Sequence, residues 1–333
     1  MIITRTPFRI SFFGGGTDYP AWAREHGGEV LATTIDKYCY ISCRRLPPFF
    51  EHKHRIVYSV IENVHAIEEI RHPAVHAVFA FKGVEDGLEV HHDGDLPARS
   101  GLGSSSSFTV GLLHALEALD GRIISKAQLA ADAIHVEQDL IGETVGSQDQ
   151  ISAAYGGFNR IEFPPDGGFT VEPLIVREAR KAELHAHLML CFTGLSRIAS
   201  EVAKAQISNM PRREAELHAM RAMVGEAIAI LRDERRPIED FGRLLDEGWR
   251  LKRTLSSAVS TPMVDAMYEA ACAAGALGGK LLGAGGGGFL LLFVPPARRH
   301  AVQESLKNAV HVPFRFENAG SRVVMYEPTD FHD

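Results

Sequence analysis

The chain has 333 residues, 45% hydrophobic and 23% charged, the profile of an ordinary folded protein long enough for two packed units. Its 35 Lys and Arg against 42 Asp and Glu leave a net charge of -7, which argues against nucleic acid as a partner and requires local cations for any anionic ligand. Its four cysteines form no CxxC pair, no apolar run is long enough to span a bilayer, and the N-terminus reaches Arg5 and Arg9 without an apolar signal core, so a reduced cytoplasmic setting away from membranes is expected.

Ile2 to Thr6 is β-like, and alternation of Ile10 and Phe12 with Arg9 and Ser11 carries a strand into the turn Gly14-Gly15-Gly16-Thr17-Asp18-Tyr19-Pro20. Such a bend can present Thr17 and Asp18 to a polyol, or it can be an Asx turn in which Asp18 bonds its own backbone. Glu29 to Arg44 reads as strands interrupted by Asp36-Lys37. His52 and His54 fall in the loop begun by Pro47-Pro48, with nothing nearby to complete a metal set. Asn63 to Phe81 reads as a helix and Leu88-Glu89-Val90 as a short strand.

The stretch from Asp95 to Leu119 is the most informative. Leu96-Pro97 favour an extended approach, Gly101 and Gly103 permit sharp turns, and Ser104 to Ser107 supply hydroxyls. Phe108, Leu112, Leu116 and Leu119 then recur at helical spacing. Strand, glycine turn and helix N-terminus together make a phosphate cradle, because free N–H groups and the positive dipole end favour an anion. A flexible Gly/Ser loop before an amphipathic helix would show the same pattern. It is neither a Walker loop, which would need a lysine, nor a dinucleotide fingerprint, whose third glycine is replaced by Ser106.

Ser125 and Gln128 form a capping box that starts a helix at Lys126, with Leu129, Ala130, Ala133, Ile134, Glu137 and Ile141 on one face. A carboxylate on that face needs a partner such as a cation, unless it reaches water at the edge. Ser147 and Gln150 form a second capping box, which places Asp149 in the first turn of a short helix, where the dipole favours its ionised form. Leu184 to Phe192 alternates as a half-buried strand and delivers Thr193 to Ser200. Arg197 in that turn either grips an oxyanion or is an exposed arginine on a capping turn. The domain boundary is expected between Pro173 and Leu184, giving units 1–178 and 179–333. Helices follow at Arg212 to Arg232 and Ile238 to Leu255, and a third starts at Thr261-Pro262. The run from Gly278 to Gly288 implies that a backbone or ligand passes close by. It leads into a strand from Leu290 to Val294, a helix from Ala297, and strands at Val312 to Phe316 and Arg322 to Tyr326.

Three of these segments resemble motifs of the GHMP small-molecule kinases, in the family's order. Pro7-Phe8-Arg9 with Gly16-Thr17-Asp18-Tyr19 is similar to the first, though Gly15-Gly16 stand where galactokinases usually carry Glu-His. Pro97, Gly101, Leu102, Gly103, Ser104 and Ser105 match the second. Lys280, Gly283, Ala284, Gly285, Gly286, Gly287 and Gly288 match the third. Glu137 followed by Gly146-Ser147-Gln148-Asp149 resembles the family's helix glutamate and Gly-x-x-Asp. The resemblance implies an α+β fold of two domains, S5-like then ferredoxin-like, that binds ATP on the loop from Pro97 to Ser106. It further implies Mg²⁺ on Ser105 and Glu137, Arg9 at the transferred phosphoryl, Asp149 at the attacking hydroxyl, and a sugar held by Thr17, Asp18, Gly15 and Gly16. The glycine loop with Gly285 and Gly286 would close the site. The combination TPFRISFFGGGTDYP, FTGLSR and GGKLLGAGGGGF looks most like the kinases that act on D-glycero-D-manno-heptose 7-phosphate for surface polysaccharide, which would put a sugar phosphate on Arg197 and Lys280. A kinase for a neutral sugar such as fucose and a silent sugar or ATP sensor are the alternatives, and a homo-oligomer is left open.

Overall fold

The computed structural model describes residues 1–194 and 199–328. Arg197 therefore lies outside the described residues. The first half builds strands β1 (Ile2–Phe13), β2 (Gly28–Arg45), β3 (His54–Val57), β4 (Ile61–Val64), β5 (Leu88–Gly94), β6 (Phe158–Phe163) and β7 (Thr170–Pro173). Its helices are α1 (Pro20–His26), α2 (Pro73–Lys82), α3 (Ser104–Leu119), α4 (Lys126–His135), α5 (Gln148–Tyr155) and α6 (Glu178–His187). The second half adds strands β8 (Leu188–Phe192), β9 (Gly278–Leu281), β10 (Phe289–Phe293) and β11 (Val310–His311). With them come helices α7 (Ala199–Asn209), α8 (Glu214–Arg232), α9 (Glu239–Leu255), α10 (Pro262–Ala273) and α11 (Arg299–Ser305), before the last strands, β12 (Phe316–Glu317) and β13 (Arg322–Tyr326).

β2 organises the larger sheet. Its register with β1 jumps from Pro7 opposite Tyr38 to Phe8 opposite Ile35, so Asp36 and Lys37 form a bulge. Before the bulge β2 pairs with β6 through Gly28 to Thr33, and beyond it with β5 through Cys39 to Arg45. The interruption expected at Asp36-Lys37 is thus where one long strand changes neighbours. The smaller sheet runs β11-β8-β10-β9, all antiparallel. The chain then returns: β12 pairs with β2 and β13 with β1. No single cut near residue 178 separates the two sheets.

Two expected elements differ. Ile61–Val64 is a strand, and the helix expected from Asn63 begins only at Pro73. Proline suits the first helical position, and His72 Nδ1 accepts from the Val75 N–H to cap it. Leu184 to His187, read as a strand, is the last turn of α6, with Arg180, Leu184 and His187 buried at helical spacing. The strand starts at Leu188. Alternation over so few residues is equally compatible with a helix turn that buries one side.

One apolar core joins the halves. Phe12 of β1 meets Phe158 of β6 and Phe241 of α9, and Phe241 meets Phe293 of β10, with ring centroids 5.4–6.4 Å apart. α3 lies against β1, where Thr4 Oγ1 donates to the Gly111 carbonyl at 2.9 Å. This packing fixes where the N-terminus of α3 points.

Candidate active site

A cavity of about 240 Å³ opens where the turn after β1, the N-termini of α3 and α5, the end of α9 and the loop after β9 converge. Arg9, Gly15, Gly16, Asp18, Gly101, Gly103, Ser104, Ser105, Ser106, Glu137, Asp149 and Lys280 all line it. The four serines of the loop have separate roles. Ser104 Oγ accepts from the Arg99 N–H, and Ser107 Oγ donates to the Pro7 carbonyl. Ser105 is exposed to the cavity, and Ser106 Oγ donates to Glu137 at 2.8 Å. The hydroxyl that bonds Glu137 directly is thus that of Ser106, while Ser105, the serine that the resemblance puts on the metal, is open to the cavity. Pro97 and Leu102 support the loop from behind. The Pro97 carbonyl accepts from Ser100 Oγ, and the Leu102 carbonyl accepts from the Arg9 N–H.

Arg9 ties three elements together. Its Nε and Nη2 donate to both carboxylate oxygens of Asp149 at 2.8 and 2.7 Å, and Nη1 donates to the Gly101 carbonyl at 2.6 Å. A bidentate guanidinium–carboxylate pair fixes orientation as well as charge. Gly103, at φ +75°, packs on the Arg9 stem and on Asp149, where a Cβ would lie about 3.4 Å from each. Asp18 is buried and accepts from the Gly16 N–H, the Gln148 N–H and Gln148 Nε2. Burial raises its pKa above the ordinary carboxylate value, with the charge of Asp149 adding to the effect. Thr17 faces away from the cavity. Its Oγ1 donates to the Gly14 carbonyl and accepts from the Glu29 N–H, so it holds the turn.

Glu137 sits where α4 widens into a π-helical turn, Val136–Leu140. Such turns displace a side chain from the ordinary helical face and recur at functional sites. Only 1% exposed, its carboxylate accepts from Ser106, Thr109 and Gln150, all neutral donors. Burial pushes its pKa up to about 7. Also lining the cavity, Lys280 Nζ donates to the Phe12 carbonyl and Lys252 Nζ to the Gly283 carbonyl.

The two glycine loops touch main chain to main chain. A Cβ on Gly283 would lie 2.5 Å from Gly101 Cα, and one on Gly288 2.2 Å from the Ser100 carbonyl oxygen. The Phe289 N–H donates to that same oxygen at 3.1 Å. Gly283 and Ala284 line the cavity. Gly285 and Gly286 instead pack against the Val259 backbone, the latter through an N–H to the Val259 carbonyl.

Residues 59–157 match the N-terminal domain of the GHMP kinases and residues 227–312 their C-terminal domain. The chain is 30% identical to a D-glycero-alpha-D-manno-heptose 7-phosphate kinase of Campylobacter jejuni, across 92% of this chain and 93% of that one. The chain belongs to the GHMP kinases. A galactokinase of Thermococcus kodakarensis is 26% identical over 92% of this chain and 91% of its own. The crystal structure of a D-glycero-D-manno-heptose 1-phosphate kinase from Bacteroides thetaiotaomicron has the same fold, with a TM-score of 0.80 at 23% identity over 98% and 99% of the two chains.

As a GHMP kinase the protein is a phosphotransferase, and the family uses ATP as donor. The cavity suits phosphoryl transfer, because N–H groups open α3, a buried carboxylate has no cationic partner among the described residues, and an arginine-locked aspartate lines the same space. Reading the sequence missed Lys252, Gln148 and Gln150. Lys252 carried a signal, since it falls in phase with Phe241, Leu245 and Trp249 on the buried stripe of α9. The same reasoning that singled out Glu137 would have found it. Among the described residues no helix is long and apolar enough to cross a membrane.

Proposed function

We propose that this kinase transfers the γ-phosphoryl group of ATP to the anomeric hydroxyl of D-glycero-D-manno-heptose 7-phosphate, giving the 1,7-bisphosphate used to make nucleotide-activated heptose. The observation that carries this reading is the Arg9–Asp149 pair, set between the serine loop and the Asp18 turn inside one cavity. The N–H groups opening α3 hold the nucleotide phosphates, and Arg9 neutralises charge on the transferring group. Asp149 receives or orients the proton of the attacking hydroxyl as the new O–P bond forms and the bond to the ADP oxygen breaks. An anomeric hydroxyl is the most acidic on a sugar, which suits a carboxylate as proton acceptor. Asp18, with the small residues Gly15 and Gly16 beside it, faces the sugar.

The residues on the cavity wall fit a divalent cation. Glu137 is buried among neutral donors, and the hydroxyls of Ser105 and Ser106 stand beside the cradle. Glu137 with these serines would hold Mg²⁺, which supplies positive charge to the β and γ phosphoryl groups. The test is an ATP-dependent assay over neutral and phosphorylated hexoses and heptoses, with the phosphate position of the product read by NMR. Turnover of heptose 7-phosphate at the anomeric carbon is expected. Preference for fucose or galactose would replace this reading with a neutral-sugar kinase, and turnover of no sugar would leave a binding protein.

A further inference from the structure

Of the basic side chains that line the cavity, Arg9 is matched by a carboxylate, whereas among the described residues Lys252 and Lys280 are not. Arg9 is paired with Asp149. Lys252 reaches in from α9 and Lys280 from β9, at 5% and 6% exposure. Each ammonium donates to one backbone carbonyl, Gly283 and Phe12 respectively, and among the described residues neither has a carboxylate within ion-pair distance. An ammonium has three N–H donors, so each retains two for something in the cavity. Burying one such charge without a partner is costly, and two close together also repel. The charge of Lys252 and that of Arg9 both act against the charged form of Lys280, beyond the effect of burial. Burial likewise lowers Lys252 to about 8. The fold thus holds two buried amines near each other whose protonated forms an arriving anion would favour.

Position narrows the choice of anion. Lys280 Nζ is anchored on the Phe12 carbonyl at the end of β1, which runs into the Gly14–Asp18 turn, and Lys252 Nζ on the Gly283 carbonyl, whereas Glu137 is bonded to Ser106, Thr109 and Gln150. Lys280 thus enters the cavity from beside the Asp18 turn, and neither lysine is among the partners of the α4 carboxylate.

We propose that Lys252 and Lys280 together seat a phosphoryl dianion carried by the acceptor, so that the cavity selects a sugar that is already phosphorylated. The proposal rests on the sugar-kinase reading above. It adds Lys252, which lies outside all three glycine motifs, as a specificity residue. The nucleotide γ-phosphoryl is the other source of the same dianion, and kinetics separate the two.

The test is steady-state kinetics of Lys252→Met and Lys280→Met with heptose 7-phosphate, unphosphorylated heptose and Mg-ATP each varied. Methionine keeps the stem and removes the buried charge, so both variants are expected to melt at or above the wild-type temperature. Each variant is expected to raise KM for heptose 7-phosphate about tenfold or more, the cost of losing one buried charge partner. KM for Mg-ATP and kcat/KM for unphosphorylated heptose stay within about threefold, as for a contact made only to the added phosphate. An equal loss on both heptoses overturns the proposal in favour of a packing role, and a loss confined to Mg-ATP overturns it in favour of the nucleotide. If the wild type turns over neither heptose, the sugar-kinase reading fails by itself. The seat is then read by calorimetric titration with inorganic phosphate: binding to the wild type that is lost in Lys252→Met or Lys252→Gln upholds it, and equal or absent binding overturns it.

Discussion

Glu137 shows how one side chain can couple stability to a ligand. Its carboxyl is raised from 4.5 to about 7 by burial, so the folded state holds a proton that the unfolded state has released. Its contribution to stability is full below about pH 4.5 and is lost as pH rises to about 7. At most it amounts to ~3 kcal/mol, taking 1.36 kcal/mol per pKa unit. Melting in EDTA is expected to show a protein more stable at pH 5 than at pH 7.5, and Glu137→Gln is expected to flatten that slope. Millimolar Mg²⁺ is expected to restore stability at pH 7.5 in the wild type alone. A wild-type slope unaffected by Mg²⁺ would remove Glu137 from the metal site. Asp149→Asn leaves Arg9 its bond to the Gly101 carbonyl but removes the proton acceptor. It is expected to lower kcat by about 10²–10⁴ while KM for ATP changes little. A variant with unchanged kcat would assign Asp149 to structure only. Glu137 was legible in the sequence because the apolar stripe of α4 carries it. Asp149 does fall in the first turn of α5, but the capping box expected there does not form: Ser147 Oγ accepts from Gln138 and Gln150 Nε2 turns to Glu137. That Ser106 is the serine bonded directly to Glu137 was not legible. In four consecutive hydroxyls a step of about 100° per residue decides which one meets a neighbouring helix, and that neighbour's position is a tertiary fact.

At the scale of elements, the glycine loops act through close approach. Gly101 has φ +83° and would place a Cβ 2.3 Å from the Leu282 carbonyl oxygen, whereas Gly121, at φ +69°, faces open space. Gly121→Ala carries backbone strain only and is expected to cost about 1 kcal/mol. Gly101→Ala adds a collision with main chain and is expected to cost about 3 kcal/mol and to raise KM for ATP. Urea unfolding and ATP titration of the pair measure both, and equal losses would mean that the loops do not bear on each other. The two misread elements have a common cause. Leu184 to His187 and Asn63 onward are short amphipathic stretches, where period two and period 3.6 agree over a few residues. The long signals, β1 into its glycine turn, α4 and α9, came through because their periodicity extends over several turns or is closed by a cap.

For the whole molecule, the return of the chain matters most. β13 covers the outer edge of β1, and β12 docks beside the β2 bulge, with Phe316 near Phe158. Deleting residues 316–328 uncovers a strand edge at the opposite end of the sequence. The truncated protein is expected to melt several degrees lower and to aggregate, as seen by light scattering, because a bare edge recruits other chains. A soluble truncation with unchanged melting would show that β13 is an appendage. Nothing in the sequence announced this return, since strand pairing between the two ends of a chain leaves no local pattern.

Through the hydrogen bond from the Phe289 N–H to the Ser100 carbonyl and the contact of Gly283 with Gly101, the four-stranded sheet meets the loop before α3 main chain to main chain. A small rotation of the four-stranded sheet is then expected to carry the start of α3 with it, as one cogwheel turns another. On the assignment proposed above, Lys280 on that sheet seats the sugar phosphate and the start of α3 the nucleotide, so the two ligands are expected to bind cooperatively. By reciprocity of linkage, whatever factor one adds to the other's affinity is returned in equal measure.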